Sequence, residues 1–225
     1  MKRVPDEIAS FSKTIKDSDL SSIAKNGIEI GIDSVINNEL LKEIPIVNTL
    51  VSLIKTAYSI NTYLFLKKII SFLNGISNIS TERRNTMISK IDKSSKYKTK
   101  VGEKLLFILD KSDDTEKASL IAKAFSSFLK NAIDYSDFIR IAHIINNIFI
   151  EDFYHFIKIN PKRLTEEDAQ LYISFGLCRI VFSNPELNHF EPDTWDEGSP
   201  RDYLENEEND YIITDIGKKI MEIFQ

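Results

Sequence analysis

Apolar residues recur at three- and four-residue steps along most of this chain, the signature of amphipathic helices. Leu20, Ile23, Ala24, Ile28 and Ile32 mark a helix that Asp19 can cap and that runs to about Asn37. Gly27 and Gly31 interrupt it at i, i+4, either as a face for close packing or as weak points. Pro45 suits the first turn of the next helix, whose stripe is Val47, Leu50, Val51, Ile54 and Tyr58. From Tyr63 to Leu73 the chain is apolar nearly all round, which predicts a buried central helix ended by Gly75. Ser80 or Thr81 with Glu82 opens a short helix through Ile91, and Lys93 to Lys100 reads as a polar, basic connector.

The second half repeats this grammar and then leaves it. Val101 to Leu109 is helical in pattern, with Leu105, Leu106 and Leu109 inward. Asp113 or Asp114 caps a helix that turns Leu120, Ile121, Ala124, Phe125 and Phe128 to the core. Ser136 opens what reads as one long helix to about Lys158, with Phe138, Ile141, Ile145, Ile148, Phe149, Phe153 and Phe156 inward. On that reading Phe149→Ala costs about 3–5 kcal/mol. Asn160-Pro161 stops the helix. Thr165 with Asp168 then caps a helix that ends at Gly176. Leu177 to Phe182 and Tyr211 to Ile213 read as two strands around a long acidic loop, and Thr214 caps a last helix to Phe224. No internal repeat is visible.

These elements define a mainly α fold: a multi-helix bundle with a small C-terminal β-hairpin and a final helix. They divide into an N-terminal segment (1–18), a helical core (19–160) and an α/β tail packed on it (161–225). One core over 19–175, centred on the Tyr63–Leu73 and Phe138–Phe156 helices, is the expectation. The chain of 225 residues is 42% hydrophobic, enough to build it.

Composition narrows the chemistry. There are three histidines (His143, His155, His189), one cysteine (Cys178), one tryptophan (Trp195) and seven glycines. None of the His or Cys spacings reads as a metal site or a nucleophile, and no Gly-rich phosphate loop is present. Asp152 or Glu151 can share a helix face with His155, but a di-metal bundle needs a second Glu-x-x-His copy and further carboxylates. A surface pair or local hydrogen bond is the better reading, and His143, between Ala142 and Ile144, reads as structural. No catalytic residue, cofactor or metal is assigned, so the expectation is a non-enzymatic protein. The lone Cys178 excludes an internal disulfide and points to a reducing, cytoplasmic setting. No apolar run follows Lys2 and Arg3, so no secretory signal is expected.

The net charge of −5 hides a split: residues 1–100 carry +6 and residues 101–225 carry −11. This marks either a basic working face or two solvated surfaces that attract each other. The densest cationic stretch is Arg83, Arg84, Lys90, Lys93, Lys96, Lys98, Lys100 and Lys104, against Asp92 and Glu103. It is the candidate binding stretch for RNA, anionic lipid or an acidic partner, with Tyr97 its one interleaved aromatic. Ile44 to Leu66 has the single charge Lys55 and nearly the length of a membrane span, but seven Asn, Thr and Ser residues favour a buried helix.

Leu171 to Val181 with Tyr211-Ile-Ile-Thr-Asp-Ile-Gly-Lys-Lys-Ile220 resembles the wing end of a winged-helix unit. That resemblance implies a transcription regulator. Its loop from Glu186 to Asp210, however, holds ten carboxylates against Arg201 alone, so specific DNA is not an expected partner. The loop's oxygen ligands lack the placed glycine of a calcium loop, and Phe190, Trp195 and Tyr203 are expected to fold it back on the domain.

Leu41 to Lys55, the helix from Ser136 and the Thr-Asp-Ile-Gly-Lys-Lys ending resemble bacterial helical proteins of the abortive-infection alpha type. The resemblance implies a phage-defence effector. The functional expectation is therefore a cytoplasmic interaction protein whose partner is another protein, a second copy of the chain or, peripherally, an anionic membrane surface. The winged-helix regulator is the alternative, and an enzyme whose polar site is assembled from scattered Asp, Asn, Tyr and Lys residues is the third reading.

Overall fold

A computed structural model describes residues 5–26, 38–56, 59–159, 164–181 and 210–225. Among them are twelve helices and one two-stranded antiparallel sheet. The chain divides into two compact units: residues 1–153 with Phe224, and residues 154–223 with Gln225.

The larger unit begins with α1 (Pro5–Asp17), α2 (Ser21–Asn26), α3 (Glu39–Lys42) and α4 (Pro45–Thr56). It continues through α5 (Ile60–Ile76), α6 (Thr81–Asp92), α7 (Val101–Lys111), α8 (Thr115–Leu129) and α9 (Tyr135–Asn147). The last helix, α10 (Ile150–Lys158), runs across the division. The central pair is α5 against α8. Gly75 makes that approach close, because a Cβ there would stand 2.6 Å from the Ala122 Cβ. A chain of rings fixes the core: Phe11 meets Phe72, Phe72 meets Phe125, and Phe125 meets Phe138 at centroid distances of 6.1, 5.7 and 5.0 Å.

Helix starts follow the capping chemistry read in the sequence. Side chains of Ser80, Asp114 and Thr165 accept the N–H three residues on, from Arg83, Lys117 and Asp168. Asp19 accepts from Ser21 N at 2.9 Å at the start of α2. Residues 27–37, with Gly27 and Gly31, lie outside the described residues, as do Tyr58 and Asn160-Pro161.

Two expectations fail. The 1–18 segment is not apart from the core: α1 packs on α4, α6 and α7, with Phe11 and Ile15 fully buried. The helix from Ser136 is not continuous either. It starts one residue earlier, at Tyr135 with Asp134 as its cap, and it ends at Asn147, with Ile148 extended at ψ 147°. Asn146 and Asn147 spend their side chains on backbone carbonyls, Asn146 on Ile108 at 2.9 Å and Asn147 on His143 at 2.6 Å. The break changes the phase of the apolar stripe, so Phe149 points outward at 76% exposure.

The smaller unit holds the end of α10, α11 (Glu166–Ile173), β1 (Cys178–Val181), β2 (Asp210–Ile213) and α12 (Asp215–Phe224). Gly176 takes φ 69°, the left-handed turn that lets Leu177 N reach back to Tyr172 O. The strands pair with Cys178 opposite Ile213 and Val181 opposite Asp210. Thr214 bonds Gly176 O at 2.7 Å and caps α12 through Gly217 N. The expected mainly α bundle with a small hairpin and a final helix is the observed fold. Phe182, His189, Phe190, Trp195, Arg201, Tyr203 and the acidic loop short of Asp210 lie outside the described residues.

Ile44 to Leu66 is divided between α4 and α5, and no helix among the described residues is long and apolar enough to cross a membrane.

Candidate cationic groove

The candidate binding stretch separates into groups with different work. Arg84 is buried at 1% exposure and serves the fold. Its guanidinium donates to Thr14 O, Ile15 O and Ser18 O at 3.3, 2.8 and 2.6 Å, so it caps the carbonyl end of α1. It also donates to Ile79 O and Thr81 Oγ1, both at 3.1 Å. Burial pulls its pKa down, while Asp19 and Asp17 oppose the shift. Arg83 donates to Leu129 O at 2.7 Å at the end of α8, and the Lys100 ammonium bonds Asp92 O. Lys90 and Lys93 are exposed.

Lys96, Lys98 and Lys104 come together. They line a cavity of about 310 Å³ with Tyr97, Tyr135 and Ile139. A second cavity of about 630 Å³ continues between α7 and α9, where Phe107, Lys111, Arg140 and His143 line it. The two share Lys104, Ser136 and Ile139, so they form one groove. Neither cavity is lined by an Asp or Glu among the described residues. Glu103, Asp110 and Asp137 belong to the same two helices but line neither.

The groove carries rings as well as cations. Phe107 is 48% exposed, and Tyr97 is half-buried with the Lys96 ammonium 5.3 Å from its centroid. Tyr97 meets Tyr135 edge-on at 4.9 Å. Tyr135 is 4% exposed, and its buried hydroxyl has no hydrogen-bond partner among the described residues. Burial raises the phenol's pKa, reinforced by Asp92 and Tyr97, so it is a neutral donor at every physiological pH.

Lys111, Arg140, His143 and Phe107 were not in the sequence-derived stretch. Ser136, Arg140, His143 and Asn147 follow one another at three- and four-residue steps, a polar stripe opposite Phe138, Ile141 and Ile145. That stripe was visible; its meeting with residues 96–111 depends on how α7 and α9 pack. His143 is exposed, which corrects its reading as a structural residue. His155 bonds the Tyr172 hydroxyl through Nδ1 at 2.8 Å, a local hydrogen bond within the smaller unit. Among the described residues no three His, Cys, Asp or Glu side chains gather as a metal-ligand set.

Fold and groove together define a class: a helical bundle with a cationic, partly aromatic cleft between two of its helices. A scan of protein-family models and searches of curated proteins and of solved structures return no match to the chain.

Proposed function

We propose that this is a non-enzymatic interaction protein that holds an anionic partner in the groove between α7 and α9. The observation that carries the reading is the groove's composition. Five basic side chains, Lys96, Lys98, Lys104, Lys111 and Arg140, line two joined cavities that no carboxylate lines among the described residues. Like charges gathered in a concave surface focus their field outward and raise the local concentration of a negative ligand. The larger unit as a whole supports this bias, since residues 1–153 carry a net +3 while residues 154–225 carry −8.

Amide chemical-shift mapping with dextran sulfate, a generic polyanion, tests the proposal. Perturbations should concentrate on residues 96–111 and 135–147 and shrink on changing Lys96, Lys98 and Lys104 to Gln. Shifts centred elsewhere, for example on Lys13 or Lys67, would defeat it. The biological setting we attach is phage defence, on the resemblance carried by Leu41–Lys55, the helix from Ser136 and the Thr214–Lys219 ending. A host expressing the chain should resist phage, and the triple lysine variant should lose that protection.

A further inference from the structure

We infer that the anionic partner is a single-stranded polynucleotide, a deepening that rests on the groove reading above. Three features select this ligand. First, the groove is a confined hollow: its two joined cavities hold about 310 and 630 Å³. A hollow of that size receives an extended chain, whereas a duplex or a bilayer meets only its rim. Second, the cations and rings interleave. Tyr97 stands between Lys96 and Lys98, and Phe107 between Lys104 and Lys111. Phosphates placed on the lysines leave bases beside the rings, and base–aromatic stacking tolerates any sequence. An acidic peptide satisfies the same lysines but makes no use of a half-exposed phenylalanine in that register. A membrane surface needs a cluster of apolar residues to insert, and among the described residues Phe107 is the one large apolar side chain exposed on either cavity's lining.

Third, the groove contains an unused polar group. The Tyr135 hydroxyl is buried, unbonded within the described residues and set in the wall of the cavity that holds Lys96, Lys98 and Lys104. As a neutral phenol it can donate to a phosphate oxygen once Tyr97, which packs against it, turns to take a base.

The test is fluorescence anisotropy of the full chain with labelled oligouridylate, run beside poly-L-glutamate and phosphatidylglycerol vesicles. If three or four phosphates are engaged, raising salt from 50 to 200 mM should weaken oligouridylate binding by about 20- to 50-fold. Phe107→Ser keeps the charge and removes an exposed ring, so the fold should hold while affinity falls by about 5- to 160-fold. Lys104→Gln should weaken binding, and Lys67→Gln, an exposed lysine outside the groove, should not. Tyr135→Phe should weaken oligouridylate without lowering thermal stability. Polyglutamate or vesicles binding as tightly as oligouridylate, or Phe107→Ser leaving its affinity unchanged, would overturn the polynucleotide and leave the groove reading intact. Failure of all three probes to bind would overturn both.

Discussion

Replacing Arg84 by Ala should destabilise the protein by about 3–5 kcal/mol. Arg84 makes five hydrogen bonds, and those to Thr14 O, Ile15 O and Ile79 O are buried. Leaving a buried acceptor unmade costs about 1–3 kcal/mol. The Thr14 carbonyl keeps a second donor, Ser18 N at 3.3 Å, so the weight falls on Ile15 and Ile79. Those two give about 2–6 kcal/mol, water entering the vacated space lowers the figure, and lost packing of the side-chain stem raises it. For a chain of this size the expected loss corresponds to a midpoint shift of about 10 °C. Urea unfolding followed by far-UV circular dichroism measures it. Arg84→Lys keeps the charge but not the planar fork, so it should fall between wild type and Ala. Arg83→Ala is the control: that side chain is exposed and makes its one bond at the end of α8, worth about 1 kcal/mol. A loss below about 1 kcal/mol for Arg84→Ala, or a loss no larger than that of Arg83→Ala, would refute the assignment of Arg84 to the end of α1.

Phe149→Ala should change stability by less than about 0.5 kcal/mol in the same urea assay, because the ring is 76% exposed. Gly217→Ala should cost about 1–3 kcal/mol, since the added Cβ would stand 2.6 Å from Leu177 O and 2.7 Å from Ile213 Cγ2. Cys178 is 3% exposed and burial pushes its thiol up to about 11, so iodoacetamide at pH 8 should label it only after unfolding, read by mass spectrometry. No sequence-specific footprint on duplex DNA is expected at physiological salt, because residues 154–225, which hold the hairpin, carry a net −8.

Much of the fold was legible because capping is local. Ser80, Asp114, Thr165 and Thr214 each satisfy an orphan N–H three residues away, a relation contained within four letters of sequence. The failures have a different range. Ile8, Phe11 and Ile15 have helical spacing, but three apolar positions in a charged segment do not announce a core helix. What holds α1 is distant: Arg84 at its end, and Thr14 Oγ1, which accepts from Ile46 N at 3.1 Å. The break after Asn147 is similar. Phe149, Phe153 and Phe156 keep helical spacing through it, so periodicity alone runs straight on, while the Asn146 amide is drawn to Ile108 on α7.

The basic stretch shows why counting charges cannot locate a binding site. Eight cations occur between residues 83 and 104, and sequence gives them equal standing. In the structure Arg83, Arg84 and Lys100 are bonded to backbone carbonyls, and all three serve helix ends, where unsatisfied oxygens gather. Those cations are committed before any ligand arrives. Lys96, Lys98 and Lys104 line the groove beside rings, where their charge stays available. The difference lies in which carbonyls each side chain can reach, and that is decided by residues as far away as Ile15 and Leu129. The groove's other cations, Lys111 and Arg140, belong to no basic run: Lys111 stands among Asp110, Asp113 and Asp114, and Arg140 between Ile139 and Ile141. They reach the groove because α7 and α9 each bury an apolar face and so turn their polar faces along one cleft, which makes the cationic groove a by-product of core packing.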